Sequence, residues 1–237
     1  MNLRKLFFLF LVLATFFSVF QYYNISQKSA IIIDSINEGQ EFKTQSNLLL
    51  SQSGLQVKYV SGENVTVDFF KNLPEKNDLY IFRVHSTCIN NRTWIFTGEK
   101  YRPESYSLLQ LADLIHKAKP SLDLGYYFSV SPELIQQYNK NRFKDGAILM
   151  MGYEGLDSND LAQVFCFEGA SVYLSWDGYV CLEHTDQTFL ALIDALCTRK
   201  LSISESIAYT MLTIGDDPIY NSSLKYYPLE HEYLKVS

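Results

Sequence analysis

The chain has 237 residues, a net charge of −6 and a mean hydropathy of −0.05, with 47% hydrophobic residues. Lys and Arg total 20 against 26 Asp and Glu, and no basic run follows the first residues, which excludes the electrostatic footprint of a nucleic-acid binder. The four cysteines, Cys88, Cys166, Cys181 and Cys197, match no metal-ligand spacing, and the sequence predicts neither a metal nor a cofactor.

In chain order, Met1 to Lys5 is a basic flank to an uncharged run from Leu6 to Tyr23, dominated by Leu and Phe. This pattern predicts an N-terminal hydrophobic helix, either a signal anchor or a cleaved secretory signal. No small-residue cleavage site follows Phe20, and Tyr22 and Tyr23 suit the membrane interface, which favours the anchor. Residues 1–28 are therefore expected to be anchor and short linker, with residues 6–23 in the membrane. With Arg4 and Lys5 inside, residues 29–237 lie outside the cytoplasm, or are secreted if the segment is cleaved. Four Asn-x-Ser/Thr sequons, at Asn24, Asn64, Asn91 and Asn221, and an even cysteine count that permits disulfides agree with that address.

Ala30 to Asp34 is an apolar run ending in a carboxylate, the pattern of a buried first strand. A helix from Gln40 to Gln52 stopped by Gly54, an alternating strand from Leu55 to Val60 and a short helix from Thr66 to Leu73 closed by Pro74 follow. Asp78 to Ser86 is a third buried strand that delivers His85 at its carboxyl end, and Thr93 to Phe96 predicts a β excursion beyond it. The spacing predicts an amphipathic helix over Tyr106 to Lys117, a β segment over Leu124 to Val130 and a helix opening at Pro132. Gly146 to Met151 is the fourth core strand, opening into the turn Gly152-Tyr153-Glu154-Gly155. A helix from Ser158 to Glu168, a fifth strand from Ser171 to Gly178 and helices from Thr185 to Cys197 and Ser202 to Leu212 complete the pattern, followed by a polar strap after Gly215. Alternating strands and helices with apolar strands predict an α/β fold, a mostly parallel sheet with helices on both faces, in one domain with a C-terminal strap.

The histidine that closes the third strand (Phe82-Arg-Val-His85-Ser) and the small turn that ends the fourth form two parts of a pattern. The third is Gly169-Ala-Ser-Val-Tyr-Leu-Ser-Trp176-Asp177 followed by the paired helices. Together these resemble the caspase-like fold, the group of caspases, gingipain- and clostripain-type peptidases and CHAT domains. The resemblance implies a three-layer sandwich with about six strands in a doubly wound order and a catalytic dyad on the carboxyl rim. It matches His85 to the family's histidine, a candidate base, and puts Tyr153 where the family has its nucleophilic cysteine. A phenol, with a pKa near 10 and an oxygen further from the backbone, does not replace a thiolate. The resemblance thus implies a degenerate peptidase that binds peptide or protein at a former cleft.

Gly152, Glu154, Trp176 and Asp177 flank that cleft by position. Asp177 is a candidate ligand contact or a solvent-facing turn carboxylate, and Trp176 a stacking wall or core cover. Trp94, Phe96 and Tyr101, with Arg92 and Lys100, are expected to form a flap. Cys88 is expected in a disulfide rather than as a substitute nucleophile, and Cys166 as a buried thiol. His184-Thr185-Asp186 is too sparse for a metal site. Two alternatives stand beside the degenerate peptidase. One is an active cysteine peptidase pairing His85 with Cys88 or Cys181; the other is an unrelated α/β envelope protein with a structural or interaction role.

Overall fold

Strands that are apolar on both faces must be covered from both sides, and in the computed structural model they are. The structure describes residues 10, 12–15, 28–120 and 124–236. The expected anchor falls largely outside them; of it, only Phe10 and residues 12–15 are described, helical and exposed. Among the described residues no helix is long and apolar enough to cross a membrane.

The main sheet has six strands, β1 (Ser29–Asp34), β2 (Gln56–Ser61), β3 (Leu79–Arg83), β8 (Ala147–Met150), β9 (Val172–Trp176) and β10 (Leu224–Tyr227), in the order β10-β9-β8-β3-β1-β2. The first five run parallel; β10 is antiparallel to β9, Leu224 opposite Trp176. Side-chain alternation sorts the strands between two cores. Ile31, Ile33, Tyr80, Phe82, Ile148, Met150 and Tyr173 face one; Ala30, Ile32, Leu79, Ile81, Ala147, Leu149, Leu174 and Trp176 face the other.

Helix α1 (Gln40–Gln52) covers the second core with Phe42 and Leu50, beside α6 (Leu182–Ile193) and α7 (Ile203–Thr213). The first core is covered by α2 (Val67–Phe70), α4 (Pro132–Tyr138) and α5 (Asp160–Phe167). The result is an α/β sandwich of helices, mixed sheet and helices. Ser202 caps α7 through a capping box with Glu205, as a hydroxyl before an apolar run should. By contrast α6 starts after Cys181, not at Thr185, whose hydroxyl is turned inward to the Met151 carbonyl at 3.0 Å.

The excursion after β3 is larger than expected. It forms a second, antiparallel sheet of β4 (Ser86–Ile89), β5 (Arg92–Lys100), β6 (Ile115–Ala118) and β7 (Tyr127–Val130), in the order β4-β5-β7-β6. One face, with Ile95, Ile115, Phe128 and Val130, extends the first core. The expected helix over Tyr106 to Lys117 is corrected: only α3 (Ser107–Leu111) is helical, and β6 follows. Leu108 and Leu111, which would have anchored such a helix, are 81% and 85% exposed, while Ile115 is fully buried opposite Val130. Asp113, at φ 59°, breaks the helix between them. The strap after Gly215 is ordered and contributes β10, a strand its polar composition did not announce. All four cysteines are free thiols, which corrects the disulfide expected at Cys88.

Candidate functional site

Because β3 and β8 are neighbours in register, Phe82 opposite Met150, the residues just beyond their ends meet on the carboxyl rim. His85 follows β3 and Tyr153 follows β8; their ring centroids lie 6.0 Å apart at 58°. Both are half-buried. His85 also approaches Phe96, 6.4 Å between centroids, and its carbonyl accepts the Phe96 N–H at 2.8 Å. Burial lowers the His85 pKa, although Glu38 pulls the other way, so the imidazole is neutral near pH 7. Burial, with Tyr179 and Glu154 nearby, pushes the Tyr153 phenol up to about 12, so it stays protonated.

The turn that carries Tyr153 is tied down on every side. Ser86 Oγ donates to the Tyr153 carbonyl at 2.6 Å, and a Cβ on Gly152 would fall 2.1 Å from that same Oγ. Gly152 is therefore required by close approach, not by a positive φ. Ser175 Oγ donates to the Met150 carbonyl at 2.8 Å and leaves equally little room at Gly155. Glu154 takes a left-handed φ of 56°, a conformation that disfavours a residue with a Cβ by about 1–2 kcal/mol. Its N–H donates to the Gly178 carbonyl at 2.8 Å, and its carboxylate accepts from Thr87 Oγ1 and the Cys88 N–H, both at 3.0 Å. The N–H that follows the rim tyrosine is thus consumed internally rather than held open for an oxyanion.

Beside this pair lies a cleft of about 310 Å³ between the outer face of the small sheet and the two rim turns. Trp94, Phe96 and His116 form the sheet side, Tyr153 and Tyr179 the other. The expected flap is therefore a wall in the case of Trp94 and Phe96, while Tyr101 packs against Phe128 on the opposite face. Trp94 is held between His116, stacked at 4.2 Å, and the Arg92 guanidinium at 4.4 Å. Opposite, Tyr153 stacks on Tyr179 at 5.4 Å, and Tyr179 meets Tyr220 at 5.8 Å, which makes an aromatic row from the rim outward. A second cleft of about 340 Å³ opens on the other side of His85, lined by Ser35, Glu38, Thr97 and Leu182 among others.

The remaining sequence candidates do other work. Trp176 is fully buried, with its indole N–H on Thr185 Oγ1 at 2.9 Å; it is core cover and not a cleft wall. Asp177 accepts the Ser223 N–H at 2.7 Å and faces Lys225 at 3.6 Å, so it holds β10 to the sheet. Asp186 pairs with Arg83, and His184 approaches the Gly215 carbonyl. Burial, with Asp157 and Asp160 nearby, pushes the Cys88 thiol up to about 11, and burial and Asp217 raise Cys181. Neither change favours a thiolate.

Two features escaped the sequence reading. Arg83, fully buried at the end of β3, donates two hydrogen bonds to the Asp186 carboxylate (2.8 Å each) in a bidentate ion pair and reaches Asp34 at 3.2 Å, while Tyr59 donates to Asp34 at 2.5 Å. Its signal was present: a cation inside the run Leu79 to Val84 demands buried carboxylates, and Asp34 ends the adjacent strand. Tyr179 gave no local signal, because its partner Tyr153 is 26 residues away. No protein-family model matches the chain, and no curated protein matches it either.

Proposed function

We propose that this chain is a catalytically degenerate, caspase-like domain, tethered to a membrane with its domain outside the cytoplasm, that binds an extended peptide or protein segment along its rim. The observation that carries this reading is the pair His85 and Tyr153 on adjacent strand ends. The histidine stands where the resemblance expects a base, and its neighbour offers a protonated phenol in place of a nucleophile. The sheet order supports it too, because it reverses direction at β1 and β3 as a doubly wound sheet does and closes on an antiparallel edge. Two clefts flanking His85, one of them walled by aromatic rings, suit a ligand that lies across the rim. The alternative of a peptidase using Cys88 or Cys181 draws no support from thiols whose pKa values are raised.

Replacement of Tyr153 by cysteine tests the placement. In Tyr153→Cys the new thiol should alkylate faster than Cys88 of the same molecule, followed at each site by mass spectrometry, and His85→Ala should remove the advantage. A rate at residue 153 indifferent to His85→Ala in a folded protein sinks the caspase-like reading. Binding is tested with a random peptide library displayed on phage. Selected peptides should lose affinity about tenfold or more for Tyr179→Ala, whose side chain is half-exposed at the cleft mouth. Peptides that bind both forms equally, or no enrichment at all, refute a rim-binding role.

A further inference from the structure

The small sheet has two edges, and they are finished differently. At β4 the outward N–H of Cys88 is taken by the Glu154 carboxylate at 3.0 Å. At the other edge, β6, the phase of the ladder follows from the Ser131 N–H, which donates to the Leu114 carbonyl at 3.0 Å. Antiparallel pairing alternates, so Leu114, His116 and Ala118 turn their main-chain groups to β7, while Ile115 and Lys117 turn theirs away. Ile115 is fully buried, but Lys117 is exposed, and nothing among the described residues bonds its outward N–H and C=O. A strand edge of this kind is a template for a further strand.

The two faces of β6 set what that strand carries. His116 and Ala118 face the aromatic cleft, where His116 stacks on Trp94 at 4.2 Å. Lys117 points to the other face. Its ammonium lies 3.8 Å from the centre of the Tyr126 ring and 5.7 Å from that of Tyr101, and no carboxylate among the described residues pairs with it. Lys119 approaches Tyr126 as well, at 5.7 Å. Lys117, Lys119 and His116 line the cleft, and no Asp or Glu among the described residues does. The carboxylates nearby are turned elsewhere: Asp113 to Arg92 and His116, Glu133 to Arg92, and Glu154 to β4.

A second copy of the chain is a poor occupant of this edge. Antiparallel pairing through the outward groups sets Lys117 against Lys117, or His116 against His116, and like charges directly opposite one another destabilise a ladder. A strand of opposite charge meets no such conflict.

We propose that an extended acidic segment of a partner protein adds antiparallel to β6, with a carboxylate opposite Lys117 and the apolar side chains on either side of it turned to the aromatic cleft. The residue that carries the carboxylate exchanges both main-chain bonds with Lys117, as directly opposed residues at such a position do. This rests on the rim-binding reading, because the apolar side chains use the same cleft.

Fluorescence anisotropy with labelled octapeptides, one alternating Glu-Val and one alternating Lys-Val, tests the addition. The acidic peptide should bind about tenfold more tightly, since attraction across the ladder becomes repulsion, and Lys117→Glu should invert the order. Methylation of the glutamate nitrogens should abolish binding, and methylation of the valine nitrogens should leave it within about twofold, a difference that a diffuse charge effect does not produce. Lys117→Pro removes an N–H that lies outside the ladder and should weaken the acidic peptide further than Lys117→Gln, which removes only the charge. Equal binding of the two peptides, no binding of either at about 1 mM, or indifference to which nitrogens are methylated overturns the proposal. Peptides from the phage library separate the two readings. Affinity lost in Tyr179→Ala but kept in Lys117→Pro leaves rim binding standing and sinks the strand addition, and affinity kept in both variants sinks both.

Discussion

Alanine at Gly152 is the sharpest structural perturbation of the rim. Its Cβ would sit 2.1 Å from Ser86 Oγ, 3.0 Å from Ser86 Cβ and 3.0 Å from the Val84 carbonyl, none of it the mobile end of a long side chain. To make room, Ser86 must swing away and give up its 2.6 Å bond to the Tyr153 carbonyl. Forcing a methyl into a packed site costs about 1–3 kcal/mol. The lost hydrogen bond adds about 1 kcal/mol. Gly152→Ala should therefore destabilise by about 2–4 kcal/mol, a fall in Tm of roughly 4–16 °C for a domain of this size. Ser86→Ala alone should cost about 1 kcal/mol, since it removes only the donor. In the double variant the 2.1 Å clash is absent, so the two changes should fall short of additivity by about 1–2 kcal/mol. Urea denaturation of the four proteins reads this coupling directly. A Gly152→Ala cost below about 0.5 kcal/mol, or strict additivity with Ser86→Ala, would falsify the argument that close approach of β4 fixes glycine here.

Arg83→Met should cost about 3–5 kcal/mol in urea denaturation at pH 7, because the buried Asp34 and the partly buried Asp186 are left without their cation. Burial already raises the Asp186 pKa, and loss of Arg83 raises it further. Stability tied to a raised carboxyl pKa is present at low pH and lost as pH climbs through it, so the variant should recover relative stability on acidification. Burial opposes ionisation of Asp217, but N–H bonds from Cys181, Tyr220 and Ile219 at 2.8–2.9 Å hold its carboxyl below the usual value. Its contribution is present above the ordinary aspartate pKa of about 3.9 and lost below it. Asp217→Asn should then cost about 1.5–3 kcal/mol at pH 7, with the gap to wild type closing below about pH 4.

Four strands of the main sheet, β1, β3, β8 and β9, were legible because they are apolar on both faces, a pattern that chain-local residues carry by themselves. Ser29–Asp34 and Ala147–Met150 stand within a residue or two of where the runs put them, and so do the helices closed by Gly54 and capped by Ser202; Leu79–Arg83 starts where expected but ends three residues before Ser86, which opens β4 instead. Reading each strand's carboxyl end also singled out His85 and Tyr153, since register in a parallel sheet brings such ends together.

The residues from Tyr106 to Lys117 defeated the same reasoning. Their apolar spacing fits a helix, yet Ile115 is buried by Val130 and Phe128, which lie 13 to 15 residues onward, and pairing with β7 won over local period. Nor could a linear pattern say that Trp176 turns inward to Thr185, that Asp177 serves β10, or that Tyr179 stacks on Tyr153. The sequence by itself determined the apolar parallel strands β1, β3, β8 and β9 and which residues stand at their carboxyl ends, because burial on both faces is written into each of those segments. Only the tertiary structure decided which of those end residues face one another, because contacts between side chains far apart in the chain depend on register and packing that no single segment encodes.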